Sequence, residues 1–181
     1  LLGESSQAII QTPIYPPFLS ASRNFGMPLA KVPLVLKKNR FTIDFDALSE
    51  LKTNPGDLFM LCHPHNPVGT LFTENELRLL IEWSLKRNLY LCSDEIHCDL
   101  VLEKELRHIP PASLDQEIAD KTITLMAPSK TFNIAGFGCS FAVIQNPALR
   151  VKFKKAAKGI VPDPPATVSY THLRAHETHN D

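Results

Sequence analysis

A lysine that directly follows a serine stands just beyond an apolar, strand-like run. Residues 122–127 read Thr-Ile-Thr-Leu-Met-Ala, Pro128 stops this run, and Ser129 and Lys130 come next. In open α/β sheets, ligands bind beyond the carboxyl ends of the strands. A lysine that is partly buried there loses its charge and becomes a nucleophile toward carbonyl groups. Taken alone, the stretch fits a surface lysine in a loop equally well.

Two other apolar runs also end in groups that can do chemistry. Residues 58–62 lead to Asn66, and residues 89–93 lead to Asp94. Unbroken apolar runs between turn signals are typical of strands that are buried on both faces of a parallel sheet. Because the carboxyl ends of parallel strands share one edge, we expect Asn66, Asp94 and Lys130 to converge.

An amide, a carboxylate and a lysine at one edge suit an aldehyde cofactor that has a ring nitrogen and a ring oxygen. Lys130 would form a Schiff base with the aldehyde. Asp94 would keep the ring nitrogen protonated, which makes the ring an electron sink. Asn66 can donate to the ring oxygen, and Ser129 can reach a phosphate.

Three motifs carry a family resemblance. They are His65-Asn66-Pro67-Val68-Gly69, Ser93-Asp94-Glu95-Ile96-His97, and the stretch from Ala127 to Gly136. In order and spacing they resemble motifs of the fold-type I pyridoxal-phosphate enzymes. The form that these motifs take here is similar to that in the cystathionine β-lyase (MalY/PatB-type) branch of the class I/II aminotransferase family. Residues 12–18 and 146–150 are also similar to that branch. The resemblance covers residues 7–164 and implies the central part of the large domain.

The resemblance also implies roles for individual residues. Lys130 is implied as the Schiff-base lysine and catalytic residue, and Asp94 as the partner of the pyridinium nitrogen. Asn66 is implied as a ligand of the ring oxygen. His97 occupies the position at which many aminotransferases place a tyrosine on that same oxygen.

The same resemblance implies two more cofactor contacts and shows two departures. Tyr15 stands where the family often stacks an aromatic ring on the cofactor, and Ser129 is implied as a phosphate ligand. Gly138 replaces the phosphate-binding arginine of typical aminotransferases, which the lyase branch commonly lacks as well. His63 replaces an asparagine that is frequent in the branch. The family's upstream phosphate loop and downstream carboxylate-binding arginine are expected outside this chain.

The function implied is a carbon–sulfur β-lyase that uses pyridoxal 5′-phosphate. Its substrate would be a sulfur-containing amino acid such as cystathionine, from which Lys130 removes the α-proton. The products would be a thiol, pyruvate and ammonia. Two alternatives remain open: an aminotransferase with the same cofactor, and an inactive fragment of the large domain.

The elements that must position these residues are predicted from periodicity and turn signals. Strands are expected at 6–11, 29–36, 41–43, 58–62, 89–93, 122–127 and 140–144. Helices are expected at 17–25, after the N-cap Asp44, after the capping box Thr73-x-x-Glu76, and from Pro147 to about residue 158. The segment 103–120 should be a loop with one short helix. This alternation predicts an α/β fold: a mostly parallel sheet with flanking helices in three layers.

A metal centre is the weaker interpretation of the cysteines and histidines. Their spacing is not that of a zinc site, and two of the cysteines lie inside apolar runs, where buried structural thiols are expected. The residues concerned are Cys62, His63, His65, Cys92, His97 and Cys98. Glu95 should point to the sheet face opposite Asp94.

Composition limits the remaining possibilities. The chain has 181 residues, with Lys+Arg and Asp+Glu both 19, so it carries no basic field suited to nucleic acid or a membrane. The cysteine pattern favours a cytoplasmic protein, and the family resemblance implies a homodimer when full-length. Residues 1–164 are expected to form a partial cofactor-binding large domain. Residues 165–181 resemble a non-native, adaptor-like tail, and a metal-binding histidine tail is the less favoured alternative.

Overall fold

The computed structural model describes residue 3 and residues 5–161, which form a main sheet with helices on both faces and a separate two-stranded hairpin. The strands are β1 (Ala8–Thr12), β2 (Leu29–Pro33), β3 (Val35–Lys37), β4 (Arg40–Thr42), β5 (Leu58–Cys62), β6 (Tyr90–Asp94), β7 (Thr122–Met126) and β8 (Phe141–Val143). The helices are α1 (Pro16–Asn24), α2 (Phe45–Glu50), α3 (Glu74–Lys86), α4 (Gln116–Asp120), α5 (Pro128–Thr131) and α6 (Pro147–Ala157). Short 3₁₀ turns span Pro111–Ser113 and Ala135–Phe137.

The main sheet has six strands in the order β2-β1-β5-β6-β7-β8. The five strands from β2 to β7 run parallel, whereas β8 pairs with β7 in the antiparallel direction. This arrangement confirms the predicted mostly parallel α/β sheet. Strands β3 and β4 form a separate antiparallel hairpin.

Apolar clusters on the two faces of the sheet hold the layers together. On one face, Phe59 and Leu91 pack with Leu77 and Leu80 of α3. On the other face, Ile10 packs with Phe18 of α1, and α6 covers the β7 end of the sheet. The helices therefore flank the sheet on both sides, as a three-layer fold requires.

Side-chain caps begin the helices where the sequence predicts. The Asp44 carboxylate accepts a hydrogen bond from the Ala47 N–H, and Asn146 accepts from two N–H groups at the start of α6. Thr73 and Glu76 form the complete capping box of α3. These caps satisfy backbone donors that the first turn of a helix leaves free.

One expected strand was wrong in detail. The strand expected at 29–36 is interrupted at Leu34, whose N–H donates to the Thr12 carbonyl while its side chain is buried. The stretch around Lys130, for which no helix or strand was predicted, is the helical turn α5, which begins at Pro128. Proline suits this position because its fixed φ is helical and it has no N–H to satisfy. The predicted domain end at residue 164 and the predicted tail at 165–181 lie outside the described residues.

Candidate active site

The three strands that lead to the predicted site residues are neighbours in the sheet. Strand β6 lies between β5 and β7, and Asp94 is in register with Cys62 on one side and Leu125 on the other. The three strands therefore end at the same edge, as the sequence predicts. The segments that carry Asn66 and Lys130 leave the sheet on either side of Asp94.

Asp94 is half-buried at the end of β6. Its Oδ1 accepts a hydrogen bond from the Ile96 N–H at 3.2 Å. Burial raises the pKa of Asp94, and the Ile96 N–H and the nearby His97 partly oppose this rise. Among the residues that the structure describes, no lysine, arginine or histidine forms an ion pair with Asp94. The carboxylate has thus lost water without gaining a fixed counter-ion, and a ligand cation would suit it.

Asn66 and His97 line the same cavity, which has a volume of about 340 Å³. Its wall also includes His65 and Gly69 from the turn after β5, and residues 100–103 from the loop after β6. Within the described part of the chain, neither the Asn66 amide nor the His97 ring is hydrogen-bonded to protein, so both can bind a ligand. The other predicted site residues, Tyr15, Asp94, Ser129 and Lys130, are not among those that line this cavity.

Tyr15 is held beside Asn66 through its backbone. Its N–H donates to the Asn66 carbonyl at 3.0 Å, and Nε2 of His65 bonds the Pro13 carbonyl at 2.8 Å. The turn before α1 is therefore docked on the turn after β5. The Tyr15 side chain is 45% exposed, which leaves its ring accessible to a ligand.

Lys130 lies in α5, directly after β7. Its side chain is exposed, and within the described residues it takes part in no hydrogen bond or ion pair. Ser129, the preceding residue, is half-buried. The next residue, Thr131, donates from Oγ1 to Oδ2 of Asp99 at 2.8 Å. This bond connects the Lys130 turn to the loop that carries His97.

A buried carboxylate–histidine pair, which was not predicted from the sequence, lies behind the site. Glu95 is fully buried, on the face opposite Asp94 as predicted, and its Oε2 lies 2.6 Å from Nε2 of His108. The His108 ring lies 4.7 Å from that of His63, which is also fully buried. The alternation of side-chain directions along β6 predicted which face Glu95 points to. Nothing in the spacing of the sequence predicted His108 as its partner.

The two cysteines that lie in apolar strands differ in burial. Cys62 is buried as expected, and its Sγ accepts from the Asn66 N–H at 3.4 Å, whereas Cys92 is only half-buried. Burial raises the pKa of Cys62 to about 11 and that of Cys92 to about 12. Both thiols are therefore protonated at neutral pH. Across residues 3 and 5–161, no group of three or more His, Cys, Asp or Glu side chains is placed to hold a metal ion.

The fold is that of an α/β protein, and the carboxyl ends of its parallel strands bring the Asn66, Asp94 and Lys130 segments to one edge of the sheet. The family model for class I and II aminotransferases matches residues 1–180. The chain belongs to this family, which confirms the resemblance noted in the sequence.

Individual relatives narrow the comparison. The chain is 40% identical over 148 residues to the cystathionine β-lyase PatB of Bacillus subtilis, covering 81% of this chain and 38% of PatB. It is 30% identical over 158 residues to the probable N-succinyldiaminopimelate aminotransferase DapC of Mycobacterium tuberculosis, covering 87% of this chain and 39% of DapC. The crystal structure of cystalysin from Treponema denticola, which contains a pyridoxal 5′-phosphate cofactor, matches with a TM-score of 0.85 and 38% identity over 94% of this chain and 43% of cystalysin. The chain thus spans about 40% of the length of these relatives.

No helix of the described residues is both long enough and apolar enough to cross a membrane.

Proposed function

We propose that this chain is the cofactor-binding part of a carbon–sulfur β-lyase that uses pyridoxal 5′-phosphate. The observation that carries the proposal is the placement of an amide, a carboxylate and a lysine after three adjacent parallel strands. The similarity to a cystathionine β-lyase and to cystalysin supports the choice of reaction.

The donor set at this edge fits the cofactor. Asp94 is a half-buried carboxylate that has no protein counter-ion among the described residues, and a protonated ring nitrogen would supply one. The Asn66 amide and the His97 ring share a cavity wall and are free to bond the ring oxygen. The Lys130 side chain has no bonding partner among the described residues and is available to the aldehyde, and Ser129 offers a hydroxyl to the phosphate. Tyr15 offers an exposed ring for stacking.

When bound, the cofactor supplies an electron sink for the pair of electrons left at the substrate α-carbon. Lys130 Nζ would take the α-proton as general base. The Asp94 carboxylate would hold the proton of the ring nitrogen, and Asn66 and His97 would bind the ring oxygen and so orient the ring. In the overall reaction a thioether amino acid and water give a thiol, pyruvate and ammonia.

An aminotransferase is the second candidate, and the similarity to DapC favours it. The two reactions share the groups at this edge of the sheet, because both begin with removal of the α-proton. They differ in the later steps: a thiolate leaves in the lyase, whereas a keto acid takes up the amino group in the aminotransferase. The third candidate is a chain that binds no cofactor.

The proposal includes the setting of the reaction. Residues 1–164 would be part of a cofactor-binding large domain, and residues 165–181 a non-native tail. The substrate would be a sulfur-containing amino acid, and the full-length protein would be a cytoplasmic homodimer. Light scattering of the full-length protein tests whether it is a dimer, and cell fractionation tests whether it is cytoplasmic.

The first test is covalent trapping on the chain itself. Purified chain is incubated with pyridoxal 5′-phosphate, reduced with borohydride and mapped by peptide mass spectrometry. We expect a phosphopyridoxyl group on Lys130, in preference to the exposed Lys152 and Lys154 of α6, and none at position 130 in Lys130→Arg. Equal labelling of all three lysines would refute the cofactor assignment.

The second test separates the reactions. The full-length protein is given cystathionine without a keto acid. Release of pyruvate together with a thiol is the expected result. Turnover that requires a keto acid and releases no thiol would assign the protein as an aminotransferase.

A further inference from the structure

The segment that carries Lys130 forms few hydrogen bonds with the rest of the described chain. It comprises residues 127–140, between β7 and β8. Its backbone hydrogen bonds are local: the Phe132 N–H donates to the Pro128 carbonyl and the Ile134 N–H to the Ser129 carbonyl. The Phe132 side chain is 68% exposed, so this aromatic ring does not anchor the segment in the core.

One side-chain bond links this segment to another part of the described chain. Thr131 Oγ1 donates to Asp99 Oδ2 at 2.8 Å, across 32 positions of sequence. In the residues that the structure describes, the segment makes no other side-chain hydrogen bond and no ion pair outside itself. Thr131 follows Lys130 directly, so this bond acts on the backbone that carries the Lys130 amine.

Asp99 is itself held close to the site. It follows His97 by two residues, in a pair of tight turns closed by the Cys98 N–H to the Glu95 carbonyl and the Leu100 N–H to the His97 carbonyl. The base of these turns is the buried Glu95, whose carboxylate bonds His108. The backbone at Asp99 is therefore held close to the end of β6.

We propose that Thr131 and Asp99 are positioning residues that hold the Lys130 turn against the loop after β6. Their bond sets where the Lys130 amine stands relative to Asp94 and His97. This inference rests on the proposed function in giving Lys130 a role, but the bond itself can be tested without cofactor.

The test compares two substitutions of nearly equal size. Thr131→Val removes the hydroxyl and keeps the branched shape, whereas Thr131→Ser keeps the hydroxyl and loses only a methyl group. Hydrogen exchange of the cofactor-free chain is followed by mass spectrometry over residues 128–135. Because one hydrogen bond typically shifts a local opening equilibrium by a factor of about five, we expect about fivefold faster exchange in Thr131→Val. Thr131→Ser should exchange like the original chain, and Asp99→Asn should fall between the two.

Borohydride trapping then reports on Lys130. We expect trapping at Lys130 to slow by about fivefold in Thr131→Val and to recover in Thr131→Ser, with labelling of Lys152 as the internal reference. Urea unfolding should be nearly unchanged in both variants, since the bond is exposed. Unchanged exchange in Thr131→Val, or faster exchange with unchanged trapping, would overturn the inference. If the original chain traps nothing at Lys130, the proposed function fails, and the exchange data alone still decide whether the bond holds the turn.

Discussion

Acid should destabilise this fold through one buried histidine, His63. Its side chain is fully buried, with its ring stacked on Phe72 at 5.7 Å and close to that of His108 at 4.7 Å. Neither ring nitrogen has a hydrogen-bond partner among the described residues. Burial, followed by repulsion from His108 and, less strongly, from His65, lowers the pKa of His63 from its usual 6.5 to about 3, while the nearby Ile109 backbone and Glu76 oppose this.

The direction of the pH effect is determined by proton binding. Between about pH 6.5 and pH 3, the His63 ring binds a proton in the unfolded chain but not in the folded one. The free energy of unfolding therefore falls as the pH is lowered through this window. The full slope for one proton is about 1.4 kcal/mol per pH unit, so the loss between about pH 7.5 and 5.5 is about 1.4 kcal/mol. The pKa of His65 is also lowered by burial, and His65 adds to the effect in the same direction.

The assay is urea unfolding at several pH values, followed by the fluorescence of the single tryptophan, Trp83, which is buried. Two variants remove the titrating ring: His63→Phe keeps an aromatic ring against Phe72, and His63→Asn is smaller and polar. Each changes stability at pH 7.5 for its own packing reasons. Both should lose the same part of the pH dependence, about 1.4 kcal/mol between about pH 7.5 and 5.5. A pH dependence equal to that of the original chain in both variants would refute the assignment to His63.

Three further predictions concern single side chains. Thr73→Ala removes the capping box of α3 and should lower the free energy of unfolding by about 1 kcal/mol in urea titrations, whereas Thr73→Ser should change it little. Arg40→Met removes the two bonds to Glu76 and one to the Leu71 carbonyl, and should cost about 1 to 2 kcal/mol at neutral pH. That cost should shrink as the pH falls through the lowered pKa of Glu76, because the carboxylate is then neutral in both proteins. Asp94→Asn should raise the free energy of unfolding of the cofactor-free chain at neutral pH, because burial disfavours the charged form of Asp94. The same substitution should weaken pyridoxal 5′-phosphate binding by roughly 10- to 100-fold in absorbance titrations. Equal binding by both proteins would contradict the role of Asp94.

Local patterns in the sequence were sufficient for the parts of the fold that local forces determine. The apolar run 58–62 is the strand β5 with the same bounds, because a run of only five apolar residues between turn signals is long enough for a buried strand but short for a helix. The helix caps at Asp44 and Thr73 appear where expected, because their side chains satisfy N–H groups only a few residues away. The convergence of the Asn66, Asp94 and Lys130 segments at one edge could be predicted from parallel pairing alone.

Features that depend on partners distant in sequence could not be predicted in this way. The reversed direction of β8 is a property of its pairing with β7 and leaves no mark in an apolar pattern. The interruption at Leu34 depends on the Thr12 carbonyl, which accepts its N–H. The bond between Thr131 and Asp99 joins two polar residues in loops, where neither periodicity nor burial restricts the choice of partner.

The two consecutive carboxylates at the end of β6 show how the strand separates the candidate site from the core. Asp94 and Glu95 point to opposite faces, and both lie in surroundings that disfavour an isolated charge. Glu95 is fully buried, and its Oε2 lies 2.6 Å from Nε2 of His108, a side-chain partner inside the protein. Asp94 has only the Ile96 N–H as a side-chain partner among the described residues, and its pKa is raised. A carboxylate that served the fold would be expected to have a partner like that of Glu95. The Asp94 carboxylate lacks such a partner, so its charge is suited to a cation that arrives with a ligand. This supports Asp94 as the residue that recognises the cofactor's ring nitrogen.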